Sequence, residues 1–278
     1  MHNRYGRKTL IREVSLFLLA VAFCLPLYLL ASISLKAPQD LFTSPLSFPI
    51  DPHFENFSRA WEARRSGGLR TALTSSVIIT VGSVAMLIVI GSLCAYAIAR
   101  RPGKLSATLY TLFVLGIIVP FQLTVLPIFV LFRNLGLIGT YLGMIILWVG
   151  ILTPLTVFLY TGFVRTIPRD YEEAARMDGA GMLRTYVQVV FPLLRPVTGT
   201  VAILTGLFIW NDFFASLIFL GGSGRETLPV AIYSFVGEYL TQWHLVFAAV
   251  LIALAPLHVF FLLAQKQMIR GFSGGIRG

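Results

Sequence analysis

Polar side chains able to contact a solute are few in this sequence, and they lie inside stretches that are otherwise apolar. Asp212 and its neighbour Asn211 interrupt one such stretch, and Gln122 lies within another. Strongly polar groups are rare in segments of this kind, so those present are functional candidates. We therefore identify Gln122, Tyr160, Asn211 and Asp212 as candidates to line a path for a solute.

Asp212 and the surroundings of Gln122 could also serve the structure of the helices themselves. Asp212 could line the path or hydrogen-bond to a neighbouring helix, and we favour the structural role because many polar groups in such helices pair between helices. Pro120 and Pro127 lie on either side of Gln122 and predict a kink, since proline removes a helical hydrogen bond and opens backbone carbonyls to a cavity.

Catalytic and cofactor-binding constellations are not apparent in the sequence. The phosphate-binding loop of an ATPase reads GxxxxGK[ST], and the stretch GGSGRET at 221–227 lacks both its spacing and its lysine. Cys24 and Cys94 lie in apolar stretches as buried thiols, and the four histidines show no metal-ligand spacing. We therefore expect a chain that is not an enzyme, binds no metal or cofactor itself, and takes its energy from another protein.

Membrane-spanning helices are the elements that must position these residues. Of the 278 residues 56% are apolar and 12% are charged, and the mean hydropathy is +0.81, which excludes a single soluble domain. A bilayer core of about 30 Å needs about 20 apolar residues per helix. The sequence predicts an all-α membrane protein with six spans, at about 14–33, 71–97, 109–131, 137–160, 196–220 and 245–265.

Lysine and arginine predict the orientation of these spans. With the N-terminus inside, 15 of the 22 Lys and Arg residues fall on the cytoplasmic side, which is the side that such residues favour. This places residues 1–13, the loop 170–196 and the tail 266–278 in the cytoplasm. The net charge of +10 has no dense basic run behind it, so it does not indicate a nucleic-acid partner.

The loop 170–196 is a long charged interruption between two apolar blocks. Its first part, DYEEAARMD, is typical of a short helix in which Asp170 caps the N-terminus and Glu173 completes a capping box. Gly179 would end this helix. Its charges cannot lie in lipid, so the loop should lie in water against the membrane.

Two further features shape this loop. Glu172 and Arg176 have the spacing of an i,i+4 ion pair, and MLRTYVQVV predicts a second short helix that stops near Pro192. Two short helices joined by a glycine hinge could fit a groove on a partner protein. The other interpretation is an amphipathic helix resting on lipid headgroups.

Several motifs of this chain fit one family. In the loop they are Glu173-Ala174-Ala175, Asp178-Gly179-Ala180, Pro192 and Pro196. Elsewhere they are Ala95-Tyr96-Ala97-Ile98-Ala99-Arg100, Pro120 with Gln122, Leu135-Gly136-Leu137 with Thr140, Trp210-Asn211-Asp212-Phe213, and the tail Arg270-Gly271-Phe272 with Gly274-Gly275 and Arg277-Gly278. The loop resembles the EAA loop of ABC importer permeases, and the whole set resembles the MalG-like branch of the carbohydrate-uptake importers.

The resemblance implies a type I ABC importer permease-like bundle whose EAA loop docks on an ATPase. Glu173 would contact a basic residue of that ATPase, and Gly179 would act as a hinge. The implied coupling residues are Glu173, Ala174, Ala175, Met177, Asp178, Gly179, Ala180, Met182, Leu183 and Pro192, of which the two methionines and the leucine form an apolar seat. The tail residues Gly274, Gly275 and Arg277 would reach the same interface, unless the tail is a frayed end.

The resemblance also implies partners. These are a second permease, two ATP-binding subunits that hold ATP and Mg, and an external sugar-binding protein, in a bacterial or archaeal cell membrane. The expected cargo is a sugar, such as an oligosaccharide or a related polyol. An importer of the same architecture for another solute is one alternative, and an ion-coupled secondary transporter is the other.

Overall fold

The computed structural model describes residues 7–63, 68–236 and 242–274, and within these ranges the regular structure is helical. The helices are α1 (Arg7–Ser34), α2 (Asp40–Thr43), α3 (Glu55–Glu62), α4 (Leu69–Arg100), α5 (Lys104–Ile118), α6 (Phe121–Asn134), α7 (Tyr141–Val164), α8 (Asp170–Met177), α9 (Met182–Thr185), α10 (Phe191–Leu193), α11 (Arg195–Trp210), α12 (Phe214–Leu220), α13 (Leu228–Tyr233) and α14 (Trp243–Gly274). A π-helical turn, Tyr186–Val190, joins α9 to α10. The chain forms two compact units, residues 1–70 with 231–257, and residues 71–230 with 258–278.

Three described helices are long and apolar enough to cross a membrane: Thr9–Ser34, Leu69–Arg100 and Tyr141–Val164. Two bent pairs raise the number to five if each pair is one span. The predicted span at 245–265 falls within α14, and the part of this helix from Trp243 to Val259 is apolar.

The predicted span at 109–131 is broken near its middle, beside Pro120, one of the two prolines expected to kink it. Helix α5 ends at Ile118, Val119 is extended with a ψ of 117°, and α6 begins after Pro120. The two helices meet at a bend of 101°. Proline disfavours the helical conformation of the residue before it, which explains why Val119 leaves the helix. Pro127 lies inside α6, which continues past it to Asn134.

The predicted continuous helix at 196–220 is also interrupted. Helix α11 ends at Trp210, and α12 begins at Phe214. The carboxylate of Asp212 accepts hydrogen bonds from the backbone N–H groups of Ala215 at 3.1 Å and Ser216 at 2.9 Å. These groups have no partner inside the new helix, so Asp212 stabilises its start.

Helices α4 and α7 run through both apolar clusters of the larger unit. One cluster packs Ala95 and Tyr96 of α4 with Val157 and Tyr160 of α7. The other packs Ile79 and Leu87 of α4 with residues of α7 that include Met144, Leu147 and Trp148. The helices approach closely at Gly91, where an added Cβ would lie 2.3 Å from Cγ2 of Thr156. These two long helices therefore form the frame on which the loop after α7 is held.

Candidate coupling loop and membrane cavity

Helix α8 is the first part of the candidate coupling loop. Its N-cap residue is Arg169, and no side chain caps it, so the predicted capping box of Asp170 and Glu173 is wrong. Both carboxylates lie in the first turn of the helix instead, where they face the positive end of the helix dipole. Gly179 follows the helix with a φ of +79°, a conformation that favours glycine, as predicted for the helix end.

Glu172 fixes this helix to the end of α4. Its side chain is buried, with Oε1 accepting a hydrogen bond from Nε of Arg100 at 2.5 Å and Oε2 accepting one from the hydroxyl of Tyr96 at 2.9 Å. Arg100 also donates to the carbonyl of Ile167, at 2.9 Å. The predicted pair of Glu172 with Arg176 is wrong, because the carboxylate turns inward to this ion pair.

The π-helical turn is a second anchor of the loop. The hydroxyl of Tyr186 lies 2.6 Å from that of Ser92 on α4, and its ring lies 5.2 Å from the ring of Tyr96. Tyr186 is buried in the same apolar cluster as Tyr96. The loop is therefore attached to α4 at two points, through Glu172 and through Tyr186.

The face of the loop opposite these anchors is exposed and apolar at its centre. Met177 is 89% exposed, Leu183 is 70% exposed and Met182 is 53% exposed. Glu173 and Asp178, with Ala174 and Gly179, are exposed as well, whereas Ala175, Ala180 and Pro192 are half-buried. An exposed apolar surface with charged residues around it is typical of a protein interface.

A cavity of about 1020 Å³ lies in the larger unit. Gln122 and Asp212 line it together with the aromatic residues Phe121, Trp148 and Phe208. A mostly apolar cavity with a few polar groups is typical of a ligand site. The structure thus brings together two of the four residues predicted to line a path.

The other two residues lie elsewhere. Asn211 is exposed and its side-chain amide donates to the carbonyl of Leu207 at 2.8 Å, and it is not part of the cavity wall. Tyr160 is fully buried, and its hydroxyl donates to Thr198 at 2.9 Å. Of the tail, Gly274 is the last residue of α14, while Gly275 and Arg277 lie outside the described residues.

Sequence reasoning missed the roles of Tyr96, Arg100, Glu172 and Tyr186. The signal that could have found the first two is their spacing, four residues apart at the end of an apolar helix, which places them on one face. Their partner lies 72 residues away from Arg100, a distance that local periodicity does not reach. Among the residues that the structure describes, no three His, Cys, Asp or Glu side chains are grouped to hold a metal ion.

The chain has helices of membrane-spanning length, a cavity among them, and a loop that is attached to α4 on one side and exposed on the other. These features are typical of membrane-embedded transport subunits. Residues 87–273 match the family described as the binding-protein-dependent transport system inner membrane component. The chain belongs to this family.

Three relatives carry names of sugar or starch-product transport permeases. The chain is 41% identical over 275 residues to the melibiose/raffinose/stachyose import permease protein MelC of Bacillus subtilis, with 98% of each chain covered. It is 32% identical to the probable starch degradation products transport system permease protein AmyC of Thermoanaerobacterium thermosulfurigenes, with 97% of this chain and 98% of the relative covered. It is 33% identical to the multiple sugar-binding transport system permease protein MsmG of Streptococcus mutans, with 92% of each covered.

A solved structure shares the fold. A chain from the crystal structure of a bacterial ABC transporter that imports the acidic polysaccharide alginate matches with a TM-score of 0.79 and 20% identity, covering 95% of this chain and 99% of that one. Sequence and fold together identify a multi-pass membrane protein of the carbohydrate-uptake permeases of ABC importers. Such permeases are transport components and not enzymes.

Proposed function

We propose that this chain is one of two permease subunits of an ATP-driven sugar importer, coupled through residues 170–196 to separate ATPase subunits. The observation that carries the proposal is the loop itself, which is fixed to α4 through buried Glu172 and presents exposed Met177 and Leu183 to the outside. A rigid attachment on one side and an apolar surface on the other suit an element that passes motion between two proteins.

The mechanism requires a difference in binding. ATP-bound ATPase subunits must bind one conformation of the permease more tightly than the other, because a ligand shifts an equilibrium only through differential affinity. Contacts to Glu173 and the apolar surface supply that difference at the loop. Arg100 and Tyr96 then pass the displacement to α4, which extends over 32 residues.

The topology that fits this function has six spans with both termini in the cytoplasm. Helices α1, α4 and α7 give three spans, α5 with α6 gives a fourth, and α11 with α12 and α14 supply the other two. The excess of Lys and Arg on the loop side supports a cytoplasmic location of residues 170–196.

The cargo that fits best is an oligosaccharide delivered by an external sugar-binding protein. The names of the relatives, which include melibiose, raffinose, stachyose and starch degradation products, support this class. The cavity supports it as well, since the Gln122 amide and the rings of Phe121 and Phe208 offer the polar partners and aromatic faces that sugars need.

Purification in mild detergent, with mass spectrometry of every co-purifying protein, tests the proposal. Recovery of a second permease and of an ATPase with a phosphate-binding loop is the expected result, and the attached binding protein can then be screened against sugars, amino acids and peptides. Recovery of this chain alone, in a form that still transports after reconstitution, would contradict the proposal and favour an ion-coupled transporter.

A further inference from the structure

The π-helical turn Tyr186–Val190 lies just before a proline, Pro192. In a regular α-helix the ring of Pro192 would meet the carbonyl of Gln188, four residues earlier, and its nitrogen has no hydrogen to donate. The chain forms a wider turn instead, in which the N–H of Phe191 donates to the carbonyl of Tyr186, five residues earlier. Pro192 then lies in the first turn of α10, where an N–H would have no helical partner in any case. Pro192 therefore explains why a rare turn, of a kind often found at functional sites, occurs at this point.

The wide turn keeps one row of side chains on a single face. Tyr186, Val190 and Leu194 are spaced by four residues, and all three are buried in the apolar cluster that also holds Tyr96. In a regular α-helix, residues with this spacing drift around the axis by about 40° per step, or about 80° from the first to the third. A turn whose hydrogen bond spans five residues cancels part of this drift. Without the wide turn, Tyr186 would rotate away from the face on which Val190 and Leu194 are buried.

The hydroxyl of Tyr186 is the group that this register places against α4. Ser92 donates its single hydroxyl hydrogen to the carbonyl of Ile88 at 2.5 Å, so its oxygen accepts from the hydroxyl of Tyr186 at 2.6 Å. The ring of Tyr186 lies 5.2 Å from that of Tyr96, whose hydroxyl donates to Glu172. A shift of the turn by one residue is a rotation of about 100°, which would break the bond to Ser92 and separate the two rings.

We propose that Pro192 is a positioning residue, because the π-helical turn that it imposes sets the register in which Tyr186 meets Ser92 on α4. The resemblance to importer permeases implied instead that Pro192 takes part in the contact with the ATPase. Its side chain is half-buried, whereas Val187 in the same turn is 53% exposed, and this difference favours the positioning role. The functional consequence rests on the proposed function: motion of the second half of the loop reaches α4 through Tyr186 in this register.

A double-mutant cycle in the purified complex tests the register without reference to transport. Tyr186→Phe removes the bond to Ser92 and should lower the midpoint of thermal unfolding by about 2–4 °C, as the loss of one hydrogen bond does in a large domain. Pro192→Ala allows the segment to form a regular α-helix, so Tyr186→Phe should have little further effect in that background. Equal effects of Tyr186→Phe with and without Pro192 would mean that the two residues act independently, and would overturn the proposal.

The number of sugar molecules taken up per ATP hydrolysed in proteoliposomes measures the coupling. Pro192→Ala should lower this ratio several-fold and reduce the maximal rate of sugar-stimulated ATP hydrolysis, while the KM for ATP, which binds to the ATPase subunits, stays the same. Val187→Ala, on the exposed side of the same turn, is the matched control and should keep the wild-type ratio.

Two other outcomes separate this inference from the proposed function. An equal fall of the ratio with Val187→Ala would show that the turn acts through its exposed surface, and would overturn the positioning role of Pro192. Non-additive unfolding midpoints with a wild-type ratio in every variant would support the register set by Pro192 and would contradict the coupling role of the loop.

Discussion

At the scale of single residues, two neighbouring carboxylates on α8 have separate surroundings. Glu172 is buried against Arg100 and Tyr96, whereas Glu173 is exposed. The first therefore holds the helix in place, and the second is available to another molecule. A comparison of substitutions at the two positions separates anchoring from docking.

Glu172→Ala should destabilise the chain strongly. Removing one partner of a buried ion pair costs about 3–5 kcal/mol, because the remaining charge has lost its counterion. The midpoint of thermal unfolding of the purified complex should fall, and Arg100→Met should lower it similarly. The double variant Arg100→Met/Glu172→Met should recover much of the loss, since no unpaired charge remains. Equal midpoints for Glu172→Ala and the wild type would contradict the anchoring role.

Glu173→Ala should leave insertion and thermal unfolding unchanged while uncoupling transport. The side chain is exposed, so its loss should remove the proposed contact to the ATPase and nothing from the interior. Substrate-stimulated ATP hydrolysis and uptake in proteoliposomes measure the coupling. Full activity in both assays would rule out a docking role for this carboxylate, and Asp51→Ala, at an exposed carboxylate outside the loop, provides a control for the loss of one negative charge.

At the scale of elements, Gly179 determines how α8 ends. Its φ is +79°, and no heavy atom lies within 4 Å of an added Cβ, so substitution there is penalised by backbone conformation alone. Gly179→Ala should therefore cost about 1–2 kcal/mol, and Gly179→Asn should cost less because asparagine tolerates this conformation. Gly179→Pro should abolish coupling, since proline cannot adopt a positive φ. Uptake at the wild-type rate in the proline variant would contradict the requirement for this turn.

Asp212 determines the break between α11 and α12. Asp212→Ala removes the acceptor for the N–H groups of Ala215 and Ser216 and should cost about 0.5–2 kcal/mol, as loss of a helix cap does. Asp212→Asn keeps one oxygen acceptor and should preserve stability and most of the uptake. If Asp212→Asn unfolds normally but no longer transports, the charge itself acts in the path, and the structural role is insufficient.

The sequence predicted where apolar helices exist better than where they break. Pro120 was expected to kink a helix, but a bend of 101° also needs Val119 to be extended. Tertiary packing decides whether the chain at a proline is only kinked or fully broken. Asp212 was interpreted as a polar residue inside a helix because the apolar pattern continues on both sides of it, although aspartate is equally a signal for a helix start. The exposed face of the loop could be predicted from the local pattern of residues. The partner of Glu172 could not, because Arg100 lies 72 residues away in the chain.

At the scale of the whole molecule, the proposed source of energy for transport lies on partner subunits and not on this chain. Its 278 residues carry no phosphate-binding loop, and the family consists of inner membrane components of binding-protein-dependent systems. Of the described residues that line the cavity, only Asp212 carries a carboxylate, and each of its oxygens accepts a hydrogen bond from an N–H group at the start of α12. An ion-coupled mechanism would need a carboxylate that is available to bind and release an ion.

Uptake by the reconstituted complex should therefore require ATP and be insensitive to ion gradients. Proteoliposomes that hold the complex and an ATP supply, with the binding protein and labelled oligosaccharide outside, should accumulate sugar at the same rate with and without ionophores. Removal of ATP, or an ATPase subunit with its phosphate-binding lysine substituted, should abolish uptake, because no residue of this chain can replace that step. Uptake that survives ATP depletion and collapses when the proton or sodium gradient is dissipated would mean that the helices around Asp212 drive transport themselves, and that the loop 170–196 serves another purpose.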